Sequence, residues 1–219
     1  MIGVLFVCTG NVCRSPLAEL VLRDRLADLP VRVASAGTRT RDGLPMTRQA
    51  ARSAVALGAD AAAAARHASR RVSADLLEDY DLVLTMTRAH RSAVVELAPS
   101  RTPSAFVLRE FARTVAAIEP PAPGDGPDSA GRLRRLLREA IALRGTSTAH
   151  AADDDIRDPY RGSAETYALV AAQIAPAVDV VADMIRAVHA DRMSAGDDGA
   201  PAHQGPHASG AHPRRTSWS

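Results

Sequence analysis

The sequence predicts an α/β domain built on a parallel sheet with helices on both faces, and three observations carry that prediction. Short apolar runs rich in β-branched residues alternate along the chain with stretches of helical spacing. The first run is apolar on both alternating faces, as expected of a strand covered on both sides. With 219 residues, 46% of them hydrophobic, the chain is long enough for one domain with a sizeable core and borderline for two.

The first strand is the run from Ile2 to Val7. The loop "CTGNVCRSP" leads into a helix that accepts Pro16 in its first turn and continues through Leu17, Leu20 and Val21 toward Pro30. "VRVASAG" from Val31 reads as a second strand ending at Gly37, and "MTRQAARSAVALGA" as a helix stopped at Gly58. "DLVLTM" from Asp81 gives a third strand, "TRAHRSAVVELA" a helix halted by Pro99, and "SAFVL" a weaker fourth strand; Phe106 and Phe111 read as core. The alternation then breaks. "IEPPAPGDGPDSAG" predicts an exposed loop, and "RLRRLLREAIALR" from Arg132 has helical spacing with a solvated arginine face over Arg132 to Arg138. The long closing helix from Glu165 is expected to be perturbed at Pro176, whose ring does not suit a helix interior. Residues 191–219, almost free of apolar side chains, predict a disordered tail in which His203, His207 and His212 are solvated. This makes 1–190 the domain, with an insertion at about 112–155.

The formal net charge is only +2, so no field of one sign advertises a nucleic acid or a membrane as partner. The basic residues are all arginine, and no function follows from that bias. Cys8 and Cys13, the two cysteines, cannot staple a fold, which fits a reduced, cytoplasmic protein. The N-terminal run lacks a basic region before it and a cleavage site after it, and no stretch approaches the roughly 20 apolar residues of a membrane span.

Chemistry concentrates in the loop after the first strand, at the carboxyl edge of the sheet where open α/β folds place ligands. Backbone N–H groups there converge with a helix N-terminus into a nest for an anion, and Thr9, Gly10 and Asn11 suit the tight backbone this needs. Such donors favour a thiolate at Cys8. Arg14 offers a planar fork to two phosphoryl oxygens, so the pair predicts attack on phosphorus and a phosphocysteine intermediate. Ser15 is placed to donate its hydroxyl to the thiolate. A leaving phenolate needs a proton, and Asp158 in "DIRDPYRG" is the candidate acid, which then activates water in the second step; Tyr160 would wall the pocket. Asp153, Asp154 and Asp155 lie close by, but only Asp158 precedes Pro-Tyr.

The loop from Cys8 to Arg14 with Ser15-Pro16, the "SAGT" from Ser35 to Thr38, the "DLVLTMT" strand and the late "DPY" together resemble the low-molecular-weight protein tyrosine phosphatase family, bacterial type. The resemblance covers the chain to about Arg186. It implies a four-stranded parallel sheet, no metal or other cofactor, and Cys8 as nucleophile, Arg14 as phosphate binder and Asp158 as general acid. Thr9, Gly10, Asn11, Val12, Cys13, Arg14 and Ser15 would surround the phosphoryl group, and Asn11, Ser15, Ser35 and His67 would support the loop. For Cys13 the resemblance implies a reversible disulfide with Cys8, with simple packing under the loop as the equal alternative. The implied partner is a phosphorylated protein, a bacterial tyrosine kinase among the candidates, and the protein is expected to be a monomer.

Two departures bear on the substrate. "RTRDGLPM" after "SAGT" has no aromatic residue where eukaryote-like members carry one. Protein arginine phosphatases on the same scaffold resemble the chain in "CTGN", "LVLTMT" and "FVLREF" but carry threonine where Val12 stands; tyrosine phosphatases usually carry isoleucine. Valine cannot hydrogen-bond, which favours phosphotyrosine over phosphoarginine. An arsenate reductase is disfavoured because no distant cysteine exists for a thiol relay, and a non-catalytic phosphopeptide module because it would not need Asp158. The insertion is read as a surface excursion rather than a gate, since lengthening a loop costs only about 0.6 kcal/mol per doubling.

Overall fold

Strand β1 (Ile2–Cys8) is buried at every position, the consequence of an apolar run with no polar alternation. In the computed structural model, which describes residues 1–122, 127–144 and 154–190, it is the second strand of a four-stranded parallel sheet in the order β2-β1-β3-β4. Its neighbours are β2 (Val31–Gly37) and β3 (Leu82–Thr85), and β4 (Ala105–Val107) closes the far edge. The predicted fold class is therefore the observed one. Register sets the geometry of the site: Cys8 lies opposite Gly37 and Val7 opposite Thr85, so three strands end beside the loop that follows Cys8.

The alternating side chains of β1 seed two cores. Ile2, Val4, Phe6 and Cys8 face a large one shared with α1 (Arg14–Arg25), α2 (Arg48–Ala56) and four later helices; Leu5 and Val7 face a smaller one with Leu77, Tyr80 and Val94. Short helices α3 (Ala61–Arg66) and α4 (Ala74–Glu78), capped by Asp60 and Ser73, precede β3, and α5 (Arg88–Leu97) follows it. Phe106 and Phe111 are fully buried, as predicted, with ring centroids 4.9 Å apart and planes tilted by 54°.

Three expectations need correction. The segment after Phe111 is more than a surface excursion. Beyond α6 (Leu108–Val115) the chain forms α7 (Ser129–Ala142), capped by Asp128 inside the predicted loop, and α7 buries Leu133, Leu136, Leu137 and Ala140 in the large core. Arg132 is not on a solvated face: it is 5% exposed and its Nε donates to the Val188 carbonyl at 2.8 Å, satisfying an acceptor in the last turn of α8. The burden on α8 (Ala164–His189) also differs, since its 26 residues are by length and composition enough to cross a membrane. Here that apolarity packs Val170, Ile174, Val178, Val181, Ile185 and Val188 into the large core, against α1 and α6. The helix runs unbroken through Pro176, which sits on its exposed side. The predicted tail with its three histidines, and Asp153, lie outside the described residues.

Candidate active site

The loop between β1 and α1 is shaped from outside. Thr38 and Arg39 donate their backbone N–H groups to the carbonyls of Cys8 and Thr9, both at 2.9 Å, and Thr47 N–H donates to the Val12 carbonyl at 2.9 Å. Gly37 makes this approach possible: a β-carbon there would stand 2.7 Å from the Thr9 carbonyl oxygen, closer than atoms tolerate. Within the loop Asn11 takes the left-handed conformation, at φ 52°, which asparagine tolerates. α1 begins at Arg14 without a side-chain cap, which leaves the donors of its first turn for an anion.

Asn11 is fully buried and is held on every side. Its Nδ2 donates to Ser15 Oγ at 3.0 Å and Ser35 Oγ at 2.7 Å, and its Oδ1 accepts from Arg70 N–H at 2.9 Å. His67 donates from Nε2 to the Asn11 carbonyl at 2.8 Å. These bonds bring together all four residues of the expected network, and they add one that the sequence did not mark. Glu19, one helical turn beyond Ser15, accepts from Ser35 Oγ at 2.6 Å and from Arg23 at 2.8 Å. Because Asn11 donates to Ser15, the Ser15 hydroxyl proton is available to Cys8 Sγ, 3.0 Å away, or to the Ala36 carbonyl at 3.3 Å. Asn11 N–H also points to Cys8 Sγ, at 3.3 Å. The sulfur thus sits at the foot of the loop facing the Ser15 hydroxyl and the Asn11 N–H.

Arg14 is 4% exposed and links the loop to the segment that carries the acid. NH1 donates to the Ile156 carbonyl at 3.0 Å, and NH2 makes an ion pair with Asp158 Oδ2 at 2.8 Å and reaches Thr9 Oγ1 at 3.4 Å. Its Nε, though buried, has no protein partner and is a donor that a phosphoryl oxygen could take. Asp158 is half exposed, and its Oδ1 accepts from Tyr160 N–H at 3.2 Å. The cleft above the loop measures about 820 Å³ and is lined by Cys8, Val12 and Asp158, with the exposed Tyr160 at its edge.

Of the three competing carboxylates, the two among the described residues have other duties. Asp154 binds Arg113 through both oxygens at 2.6 and 3.1 Å, and Asp155 accepts from Arg88 N–H at 2.8 Å. Both cysteines are free. Cys13 Sγ lies 3.4 Å from Thr47 Oγ1 and 3.6 Å from the Tyr167 hydroxyl, and burial pushes its thiol above the ordinary value, so at neutral pH it is a packed thiol rather than a second nucleophile.

The sequence also gave no hint of His90. Its Nε2 is 2.8 Å from Thr9 Oγ1 and its Nδ1 is 2.8 Å from Thr87 Oγ1, which in turn accepts from His90 N–H as the cap of α5. The imidazole is thus held between two hydroxyls, one at each ring nitrogen. Thr9 Oγ1 thereby joins His90 to Arg14, from whose NH2 it accepts at 3.4 Å. Burial, reinforced by the Arg14 guanidinium, lowers the His90 imidazole from 6.5 to about 4. A histidine lowered in the fold contributes stability that is complete above pH 6.5 and is lost as pH falls toward 4. Unfolding titrations from pH 7 to 4 should show the protein losing about 3 kcal/mol that His90→Gln does not lose. Parallel curves for the two proteins would show that His90 is not held neutral.

Residues 3–143 match the model of the low molecular weight phosphotyrosine protein phosphatase family. The chain belongs to this family. Among relatives of this phosphatase family, the low molecular weight protein-tyrosine-phosphatase Etp of Escherichia coli K12 is 40% identical over 97 residues, which are 44% of this chain and 62% of that protein. The chain thus spans less than two thirds of that relative. The protein-arginine-phosphatase of Geobacillus stearothermophilus is 27% identical over 184 residues, 84% of this chain and 95% of that one. The structure of Vibrio vulnificus Wzb in complex with benzylphosphonate superimposes with a TM-score of 0.59 at 25% identity, covering 83% of this chain and 97% of the other. Asp158 and Tyr160 lie beyond the family match, so their place in this phosphatase-family site rests on the geometry of Arg14.

Proposed function

We propose that the chain hydrolyses phosphotyrosine in proteins through a phosphocysteine intermediate. The observation that carries this reading is the ion pair of 2.8 Å between Arg14 and Asp158 over the loop that holds Cys8, which assembles nucleophile, anion binder and proton donor in one cleft. Cys8 Sγ attacks phosphorus, and the bond to the phenolic oxygen breaks as Asp158, protonated once the phosphoryl group has taken its place on Arg14, gives its proton to that oxygen. Arg14, through Nε and NH2, and the loop N–H groups hold the equatorial oxygens. Water, deprotonated by Asp158, then attacks phosphorus and expels the Cys8 thiolate, which Ser15 Oγ receives as donor.

Val12 supports phosphotyrosine over phosphoarginine, because it faces the cleft with two methyl groups and no hydrogen-bonding atom. Phosphoarginine is the second reading. It is favoured by the cleft lining, in which Tyr160 is the single aromatic side chain beside the aliphatic Leu44, Pro45 and Met46, and by the long match to the Geobacillus enzyme. A phosphorylated protein as partner, a monomeric state and a cytoplasmic setting belong to the same proposal. The test compares initial rates on a phosphotyrosine peptide and a phosphoarginine peptide of the same sequence, with Cys8→Ser as background. The expected result is a phosphotyrosine preference of tenfold or more, on the order of the discrimination a missing hydrogen bond confers. A preference for phosphoarginine would overturn it.

A further inference from the structure

The mouth of the cleft carries charge that the chemistry inside it does not use. Arg39, Arg41 and Arg71 are exposed and line the cleft, and among the described residues none of them has a carboxylate within ion-pair distance. Elsewhere on the surface Arg25, Arg101, Arg113 and Arg186 each hold one. Asp42 stands nearby but gives an oxygen to the backbone N–H of Arg71, at 2.8 Å, rather than to a guanidinium. The one carboxylate that lines the cleft, Asp158, is taken by Arg14. Four arginines, Arg14, Arg39, Arg41 and Arg71, line the cleft against the single carboxylate of Asp158, so the mouth is locally positive.

The backbone beneath the three arginines is already fixed. Arg39 N–H is tied to the Thr9 carbonyl at 2.9 Å, the Arg41 carbonyl accepts from Ser69 Oγ at 2.8 Å, and Arg71 bridges Gly37 at the edge of β2. A ligand there orders side chains only, a smaller entropic cost than ordering a loop. An extended peptide advances about 3.3 Å per residue, so side chains one to three positions from the phosphorylated residue fall within about 10 Å of it, over this rim.

We infer that the rim of Arg39, Arg41 and Arg71 selects phosphoprotein segments with aspartate or glutamate beside the phosphorylated residue. This rests on the reading of the cleft as a phosphoprotein site. Guanidinium forks take flanking carboxylates in pairs of hydrogen bonds, and the summed field draws an acidic segment in before the phosphoryl group docks.

The test measures binding of two phosphotyrosine peptides, one with acidic and one with neutral flanks, to Cys8→Ser protein at about 0.01 M and about 0.5 M salt, where the screening length falls from about 30 Å to a few ångströms. The acidic peptide should bind about tenfold tighter at low salt, with the gap narrowing at high salt and closing when R39Q, R41Q and R71Q are added. Equal affinities at low salt, or a preference that survives the three substitutions, would overturn the inference. Turnover by the unsubstituted protein is read separately. If it hydrolyses neither peptide the catalytic reading fails, and the affinity ratio still decides the role of the rim.

Discussion

Cys8→Ser should lower turnover of any phosphate ester by at least about 10⁴-fold while leaving the thermal unfolding temperature within a few degrees of the parent. The two groups that touch Cys8 Sγ through hydrogen bonds are Ser15 Oγ and the Asn11 N–H, and both serve as donors. A thiolate needs donors and no base. A serine hydroxyl needs a base to become a nucleophile, and neither of those neighbours is one. The oxygen fits the same buried position and can keep both bonds, so the loop should persist and still bind phosphate. Rapid-quench trapping should recover one phosphorylated cysteine per parent chain and none from the variant. If the variant retained more than about 1% of the parent rate, the nucleophile would lie elsewhere.

Asp158→Asn should separate the two halves of the reaction. Asparagine keeps an oxygen for Arg14 NH2 but has no proton to give. In single-turnover experiments, release of an unactivated phenol should fall by about 10²–10³-fold, whereas release of nitrophenolate, which departs without protonation, should fall only several-fold. The slope of rate against leaving-group basicity should steepen accordingly. Hydrolysis of the phosphoenzyme should slow as well, since the same carboxylate activates the water. Asp158 is half exposed, and stability should barely change. Equal losses for both leaving groups would show that Asp158 positions Arg14 rather than supplying the proton.

The parts of this site that could be read from sequence are those whose meaning is local. Cys8, Arg14 and Ser15 lie within one loop, and Asp158 is marked by the proline and tyrosine that follow it. His90 and Glu19 carry no such mark. His90 lies 81 positions from Thr9 and looks like any polar residue in the first turn of a helix, and only the parallel pairing of β1 with β3 brings the two together. Glu19 sits on a helix where Arg23, four residues on, already explains it as a surface pair. The small helix α3 was invisible for a different reason: its alanines form no apolar stripe against which a period can be counted. α7 misled because arginines crowd its sequence, and the one that turns inward, Arg132, is paired with the end of a helix 56 residues away.

Arg14 grips the 156–158 segment at two points, with NH1 on the Ile156 carbonyl and NH2 on Asp158. The hold on Ile156 is shielded inside the protein, and the hold on Asp158 opens on the cleft. In the proposed reaction a dianion entering the loop would compete only for the second grip, so Asp158 would come free to take up a proton and face the departing oxygen while the segment beneath stays tethered. On that reading the arrangement is an interlock: Asp158 stays latched on Arg14 in an empty cleft, and only an anion in the loop would release it.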